Sequence, residues 1–307
     1  MRETAETAET ARKQTTKTET APKEAGALQR PGVLRVMTMN VLAPGYADGE
    51  ARRAVLHEEV RRLAPDVLAL QEVTRREADG LAADGWHVVP HPAWGPDGVG
   101  AVLAARLPFG ARASDRLAVT ERTSRTPWCG VVASGLPLPE PLGTVVLVHH
   151  KPSWPYGFER ERELQAVAAA RLAEELRERC GARHTVLLGD LDAPPEAASL
   201  RFLRGLASLE GTSVCHQDAW EAVHPGEPGW TFSPRNPLVR DGDMPEEAGR
   251  RIDHILVGCG PCGPGLHIAR CERVLTGPVD GVQASDHYGL FADLTPPHHP
   301  PGRWAGE

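Results

Sequence analysis

The chain has 307 residues, of which 41% are hydrophobic and 24% charged, a globular balance with enough apolar material for one large α/β domain. Its formal charge is −7, and the first thirty residues hold six basic and five acidic side chains, which contribute +1 and leave −8 for the rest. An acidic body argues against a protein that tracks long nucleic acid non-specifically, since that needs a basic face to displace phosphate counterions, and no apolar run reaches the roughly eighteen residues of a membrane-spanning helix.

In chain order, residues 1–31 repeat Glu-Thr-Ala three times and offer no large aliphatic side chain between Met1 and Leu28. Such a segment buries too little surface to offset its ordering entropy, so a disordered tail is expected. It holds no apolar leader, and a cytoplasmic protein is expected. Six cysteines, at 129, 180, 215, 259, 262 and 271, then read as reduced thiols. "VLRVMTMNVL" (33–42) reads as a strand, and Leu56, Val60 and Leu63 recur at helical spacing over about 50–64. "PDVLALQEV", "VGAVLAA" and "GTVVLVHH" are further strands. Residues 158–181 form the clearest helix, with Leu164, Val167, Ala168, Leu172 and Leu176 on one face and Gly181 as its stop. "HTVLLGD", "RRIDHILVG" and "YGLFADL" complete the strands, and "TPPHHPPGRWAGE" reads as a flexible tail over 296–307. One domain over 32–295 is expected.

Several apolar runs end in a chemically capable residue: Asn40 in "VMTMN", Glu72 in "LALQE", His150 in "LVHH" and Asp190 in "LLGD". Each alone has an ordinary structural reading, but catalytic groups concentrate where strands leave the core, and four such endings point to one site. Asp190 and Asp192 are one strand period apart. In an extended chain both face the same way about 7 Å apart, and they repel unless a cation, a proton or an ordered water lies between them. Asp253 shares a strand face with Ile255 and Val257 and needs a partner in the core, either His287 or the neighbouring Arg251.

"TMN", "LQEV", "HHKPS", "GDLDA", "RIDHILV" and "SDHYGLFADL" occur in the order and at about the spacing of the endonuclease/exonuclease/phosphatase family, and the chain resembles that family from about residue 33 to 294. The resemblance implies a deoxyribonuclease-I-like α/β fold, a four-layer sandwich of two facing β-sheets flanked by helices. It also implies divalent-metal-dependent phosphoester hydrolysis, most simply of a phosphodiester, by a nuclease or a small-molecule phosphodiesterase. Carried over, Glu72 is the principal metal ligand, with Asn40 and Asp286 completing the set, and Mg²⁺ or Mn²⁺ suits such oxygen donors. His287, oriented by Asp253, and Asp190 act on the attacking water or the phosphate. His150 is the phosphoryl donor, chosen over His149 because it stands before Lys-Pro-Ser.

Two positions depart from the family pattern. Asp192 replaces the usual Asn of "GD-x-N" and calls for a second cation, a proton or Lys151 to neutralise it. Leu42 stands where abasic-site endonucleases carry Asp. For substrate, Asn236, Arg122 and Arg125 are candidate phosphate contacts, and Trp154 with Tyr156 a candidate stacking wall. The partner implied is a phosphoester, with nucleic acid not indicated by charge, and the protein is expected to be a monomer. Two rival readings are a thiol or zinc function through "Cys259-Gly-Pro-Cys262" with Cys271, and a non-catalytic binding module on the same fold.

Overall fold

The computed structural model describes residues 28–299. The expected N-terminal tail thus lies outside the described residues except at its end, where the chain is already anchored. Leu28 packs on the core, the Gln29 amide donates to Asp66, and the Arg30 guanidinium donates to the carbonyls of Leu63 and Ala64. Most of the expected C-terminal tail, from residue 300 onward, also lies outside.

The strands are β1 (Leu34–Asn40), β2 (Val67–Thr74), β3 (His87–Pro90), β4 (Val99–Ala105), β5 (Arg112–Asp115), β6 (Gly130–Pro137), β7 (Thr144–Lys151), β8 (His184–Asp190), β9 (His216–Asp218), β10 (Asp253–Gly260), β11 (Gly263–Pro264), β12 (His267–Val274) and β13 (Gly289–Thr295). The helices are α1 (Gly49–Leu63), α2 (Arg75–Ala83), α3 (Glu159–Cys180), α4 (Ala198–Leu203), α5 (Ala219–Val223) and α6 (Pro237–Arg240). One sheet runs β12-β13-β1-β2-β4-β3 and the other β11-β10-β8-β7-β6-β5, with β9 beside β10.

The sheets face one another across an apolar layer: Val36, Val67 and Leu103 from the first meet Leu147, Leu188 and Ile255 from the second. Outside the first sheet, Leu56, Val60 and Leu63 of α1 cover Met37, Met39 and Leu68. Outside the second, α3 and α4 cover Val146, Val148 and Leu187. This is the expected four-layer sandwich. In α3 the covering face is rotated from the expectation. Ala166, Ala169, Ala170, Ala173 and Gln165 are buried, whereas Leu164 and Leu172 are only partly so. Small side chains let the helix sit close on the sheet, and a hydropathy pattern favours leucines over alanines for that role.

Strand direction builds one functional rim. β1 and β2 are parallel, as are β7 and β8, so Asn40, the Glu72 region, Lys151 and Asp190 lie at strand ends. β10 and β13 run antiparallel to β8 and β1, so Asp253 and the residues just before β13 start where those strands finish. Asp253 is directly opposite Asp190 in the register.

Gly189 lets β8 reach this rim. It sits at φ +152°, and a Cβ there would come 2.1 Å from the His150 backbone oxygen. Gly189→Ala is therefore expected to push β8 off β7 and destabilise the protein by about 1–3 kcal/mol, a loss of several degrees in thermal melting. An unchanged melting temperature would contradict this account.

Candidate functional site

Glu72 reaches the rim through a break in strand alternation. Along β2, Leu68 and Leu70 pack toward α1, while Val67 and Ala69 point between the sheets. Regular alternation would send Glu72 outward with the leucines. Instead the register against β4 shifts between Gln71 and Val73, and Glu72 takes φ +61°. Such a bulge re-aims a side chain, and its backbone strain is of the kind stored at functional sites. The Glu72 carboxylate then accepts from Asn40 Nδ2 at 2.9 Å and from the Ala43 amide at 3.0 Å.

Asn40 is buried and its amino group bridges two carboxylates, reaching Asp190 Oδ2 at 3.0 Å as well as Glu72. Its amide oxygen accepts from Leu42 N. Asn40 thus presents its amino group to the acidic cluster, while its amide oxygen is bonded by the Leu42 amide.

The chain does not stay extended through Asp190 and Asp192. β8 ends at Asp190, Asp192 adopts φ +52°, and the Asp192 amide donates to Asp190 Oδ1 at 3.2 Å. The cation between the two carboxylates is Lys151, whose Nζ lies 2.7 Å from Asp190 Oδ2 and also pairs with Asp192. Its charge, with Asn40 and His287, holds the Asp190 carboxyl low, at about 2, against burial, which would raise it. Asp192 is pushed the other way by burial and by Asp190, while the Lys151 ammonium is held well above its usual range by the pair despite its burial.

Asp253 accepts from His287 Nδ1 at 2.8 Å. Arg251 instead pairs with Asp218 at 2.6 Å, so the histidine is the partner Asp253 takes. Burial would lower the His287 pKa, but Asp253, Asp190 and Asp286 raise it to about 10. Ligand atoms of Asp190, Asp253 and His287 lie within 4.8 Å of one another, the one such group of His, Cys, Asp or Glu among the described residues. Asp286 is raised by burial and by the repulsion of Glu72 and Asp190, against the pull of His287.

Three buried groups hold these side chains. The Thr231 hydroxyl accepts from the amides of Ile252 and Asp253. Ser285 donates to the Asn40 carbonyl at 2.8 Å and accepts from the His287 amide, joining the end of β1 to the loop before β13. Arg52 donates to the carbonyls of Val41, Leu42, Ala43, Tyr46 and Ala284. Sequence reading passed over all three, and a lone helical arginine gives no hint that it is buried.

Asn40, Glu72, Lys151, Asp190, Asp192, Asp286 and His287 line one cavity of ≈ 580 Å³, whose wall includes Tyr46, Trp128 and Trp154. The sequence matches the Endonuclease/Exonuclease/phosphatase family over residues 37–287. The chain belongs to the endonuclease/exonuclease/phosphatase family. No curated protein matches the sequence significantly. Among solved structures, D. rerio TDP2 complexed with single strand DNA product is similar with a TM-score of 0.67 and 16% identity, over 86% of this chain and 99% of that one. The human Nocturnin catalytic domain with bound sulfate anion gives 0.63 and 23% identity, over 88% and 95%. An endonuclease/exonuclease/phosphatase from Bacteroides vulgatus gives 0.65 and 16%, over 86% and 99%. At these identities the likeness is one of fold.

Not every expected residue of this family member reaches the cavity. His150 shares the outward face of β7 with Val146 and Val148, and lies against Arg162, Ala166 and Leu203 beneath α3 and α4. Burial pushes its pKa down to about 3, so it stays neutral. His150 therefore does not reach the cavity, and alternation turns the next residue, Lys151, toward it. His149 also points between the sheets, 2.6 Å from Gln71 Nε2.

Asn236 is buried and caps α6 while donating to the carbonyls of Ser285 and Asp286, so it supports the loop and does not line the cavity. Arg122 pairs with Glu161 and lies over the Phe158 ring, and Arg125 lies over the same ring; neither lines the cavity. Trp154 does line it and is 40% exposed, whereas Tyr156 bonds to Glu247 outside it. Cys259 lies near the end of β10 and Cys262 in the two-residue turn that leads to β11. Cys271 is buried in the other sheet, and burial pushes the Cys259 and Cys271 thiols up to about 11 and about 12. The zinc reading fails on this geometry, because no cysteine joins a metal-holding group among the described residues.

Proposed function

We propose that this protein is a divalent-metal-dependent phosphodiesterase that attacks its substrate with water. The observation carrying this reading is that His287, bonded through Nδ1 to the buried Asp253, lines together with Asp190 a cavity that also holds Glu72 and Asp286. Asp286 is raised by burial first and then by its carboxylate neighbours Glu72 and Asp190, and the closeness of these carboxylates, with the all-oxygen character of Glu72 and Asp286, fits a hard dication such as Mg²⁺ or Mn²⁺ held by these two residues. When bound, such an ion supplies Lewis-acid stabilisation of a phosphoryl oxygen.

The remaining steps belong to the chain itself. Asp190, held ionised, accepts a hydrogen bond from the attacking water and aims it at phosphorus. A carboxylate this acidic orients water better than it deprotonates it, since proton acceptors work best near the operating pH. His287, its Nδ1 fixed by Asp253, offers Nε2–H to an oxygen on which charge grows. Asn40 keeps Glu72 and Asp190 at a fixed separation.

The cavity mouth carries Asp97, Asp241 and Asp243, which disfavours long polyanions, and Trp128 and Trp154 supply ring surface for stacking. A short or locally recognised phosphodiester is therefore the substrate class. A single-stranded end is compatible, as in the product complex of D. rerio TDP2.

Purified protein is expected to hydrolyse bis-p-nitrophenyl phosphate with Mg²⁺ or Mn²⁺ and to stop on addition of EDTA. No turnover with either ion across a panel of diesters would support the binding-module reading, and turnover indifferent to EDTA would remove the metal from the mechanism.

A further inference from the structure

We propose that Lys151 contacts the substrate phosphoryl group directly as a fixed ammonium, and that Asp192 is the positioning residue that aims it. This rests on the phosphodiesterase reading above. Lys151 is the last residue of β7, and its side chain is 5% exposed at the cavity wall. An ammonium has three N–H donors. Two are engaged by Asp190 and Asp192, and the third has no acceptor among the described residues.

A buried ammonium needs an opposing charge, and Asp190 alone provides one. Asp192 adds a second carboxylate on a backbone at φ +52°, a conformation unfavourable for a residue with a Cβ. Two carboxylates gripping one ammonium fix its direction as well as its charge. The inward position that alternation gives Lys151 is the one from which a β7 side chain reaches Asp190. His150, the other candidate, points into the α3 layer.

Lys151 moves no proton in this role. The water oxygen bonds to phosphorus and gives up a proton to the solvent, while the bond to the leaving oxygen breaks with its electron pair, so that oxygen departs as an anion that takes a proton from solvent where its basicity calls for one. The ammonium hydrogen-bonds to the phosphoryl oxygen that gains charge, a stabilisation greater in the transition state than in the bound substrate.

The test compares wild type, Lys151→Met, Asp192→Asn and the double variant, with kcat and KM on bis-p-nitrophenyl phosphate at saturating Mn²⁺ and thermal melting for each. Lys151→Met should lose about 10²–10³ in kcat with little change in KM, and Asp192→Asn should lose less, also in kcat. The double variant removes both charges, so the local balance and the fold should persist even if Lys151→Met alone melts early. Its kcat should stay as low as that of Lys151→Met. Recovery of the double variant toward wild-type kcat would overturn the proposal, because Lys151 would then only neutralise Asp192. Undiminished kcat in a folded Lys151→Met protein would do the same. Wild-type inactivity would instead overturn the phosphodiesterase reading itself.

Discussion

Glu72→Gln is expected to lower kcat/KM toward a phosphodiester by about 10²–10³ or more while leaving the fold intact. The substitution keeps the length and planarity of the side chain, and the Asn40 Nδ2 contact survives at the retained carbonyl oxygen while the one accepted from the Ala43 amide is given up, a local cost that thermal melting of the variant would register. What is lost is the negative charge at the one rim position that β2 departs from its own pleat to present. Calorimetric titration with Mn²⁺ should show weakened binding in parallel with the fall in activity. A Glu72→Gln protein with wild-type turnover would mean that the strained backbone serves packing alone, and the proposed metal position would have to be abandoned.

The second large effect is expected at the Asp253–His287 pair. His287→Ala should reduce kcat by about 10²–10⁴, the range for a lost positioned proton donor. Asp253→Asn should leave the imidazole in place, against the Phe232 ring at 4.9 Å, but without its ionic partner. The sign of the pH effect follows. Burial lowers the His287 pKa, and the carboxylates, Asp253 foremost, raise it to about 10. Removing the Asp253 charge leaves burial less opposed, so the pKa falls. The alkaline limb, where His287 loses its proton and its capacity to donate, should move toward acid by about one to three units. A pH–rate profile of Asp253→Asn that superimposes on wild type after scaling would show that His287 is not the donor.

Much of this site was legible from strand endings, because a carboxylate that closes an apolar run has few comfortable places in a core. Asp190 announced itself that way, Asp253 as an acid sharing a strand face with Ile255 and Val257, and His287 as one of its two candidate partners, while in the fold α1, β1, β2, β8 and β10 are unambiguous in hydropathy. The choice between His150 and Lys151 was not legible for a physical reason. Residues 145–150 of β7 are buried on both faces, so hydrophobic alternation gives no indication of which side is inward. β6 was passed over because Gly130, Ser134, Gly135 and Pro137 interrupt its apolar run, although it lies fully inside the second sheet. The bulge at Glu72 was equally silent: a left-handed glutamate has no compositional signature, unlike a glycine.

The pairing of β13 with β1, Leu34 opposite Leu294, places residues some 260 positions apart side by side in the middle of a sheet. A nascent chain released only as far as β10 would carry Glu72, Asp190 and Asp253 but neither Asp286 nor His287. The first sheet would meanwhile lack β12 and β13, with β1 exposing an unpaired edge. Contacts of such long sequence separation form slowly, and an open apolar edge invites association with other chains. Completion of the acidic cavity and closure of the open edge thus arrive together, at the moment β13 pairs with β1.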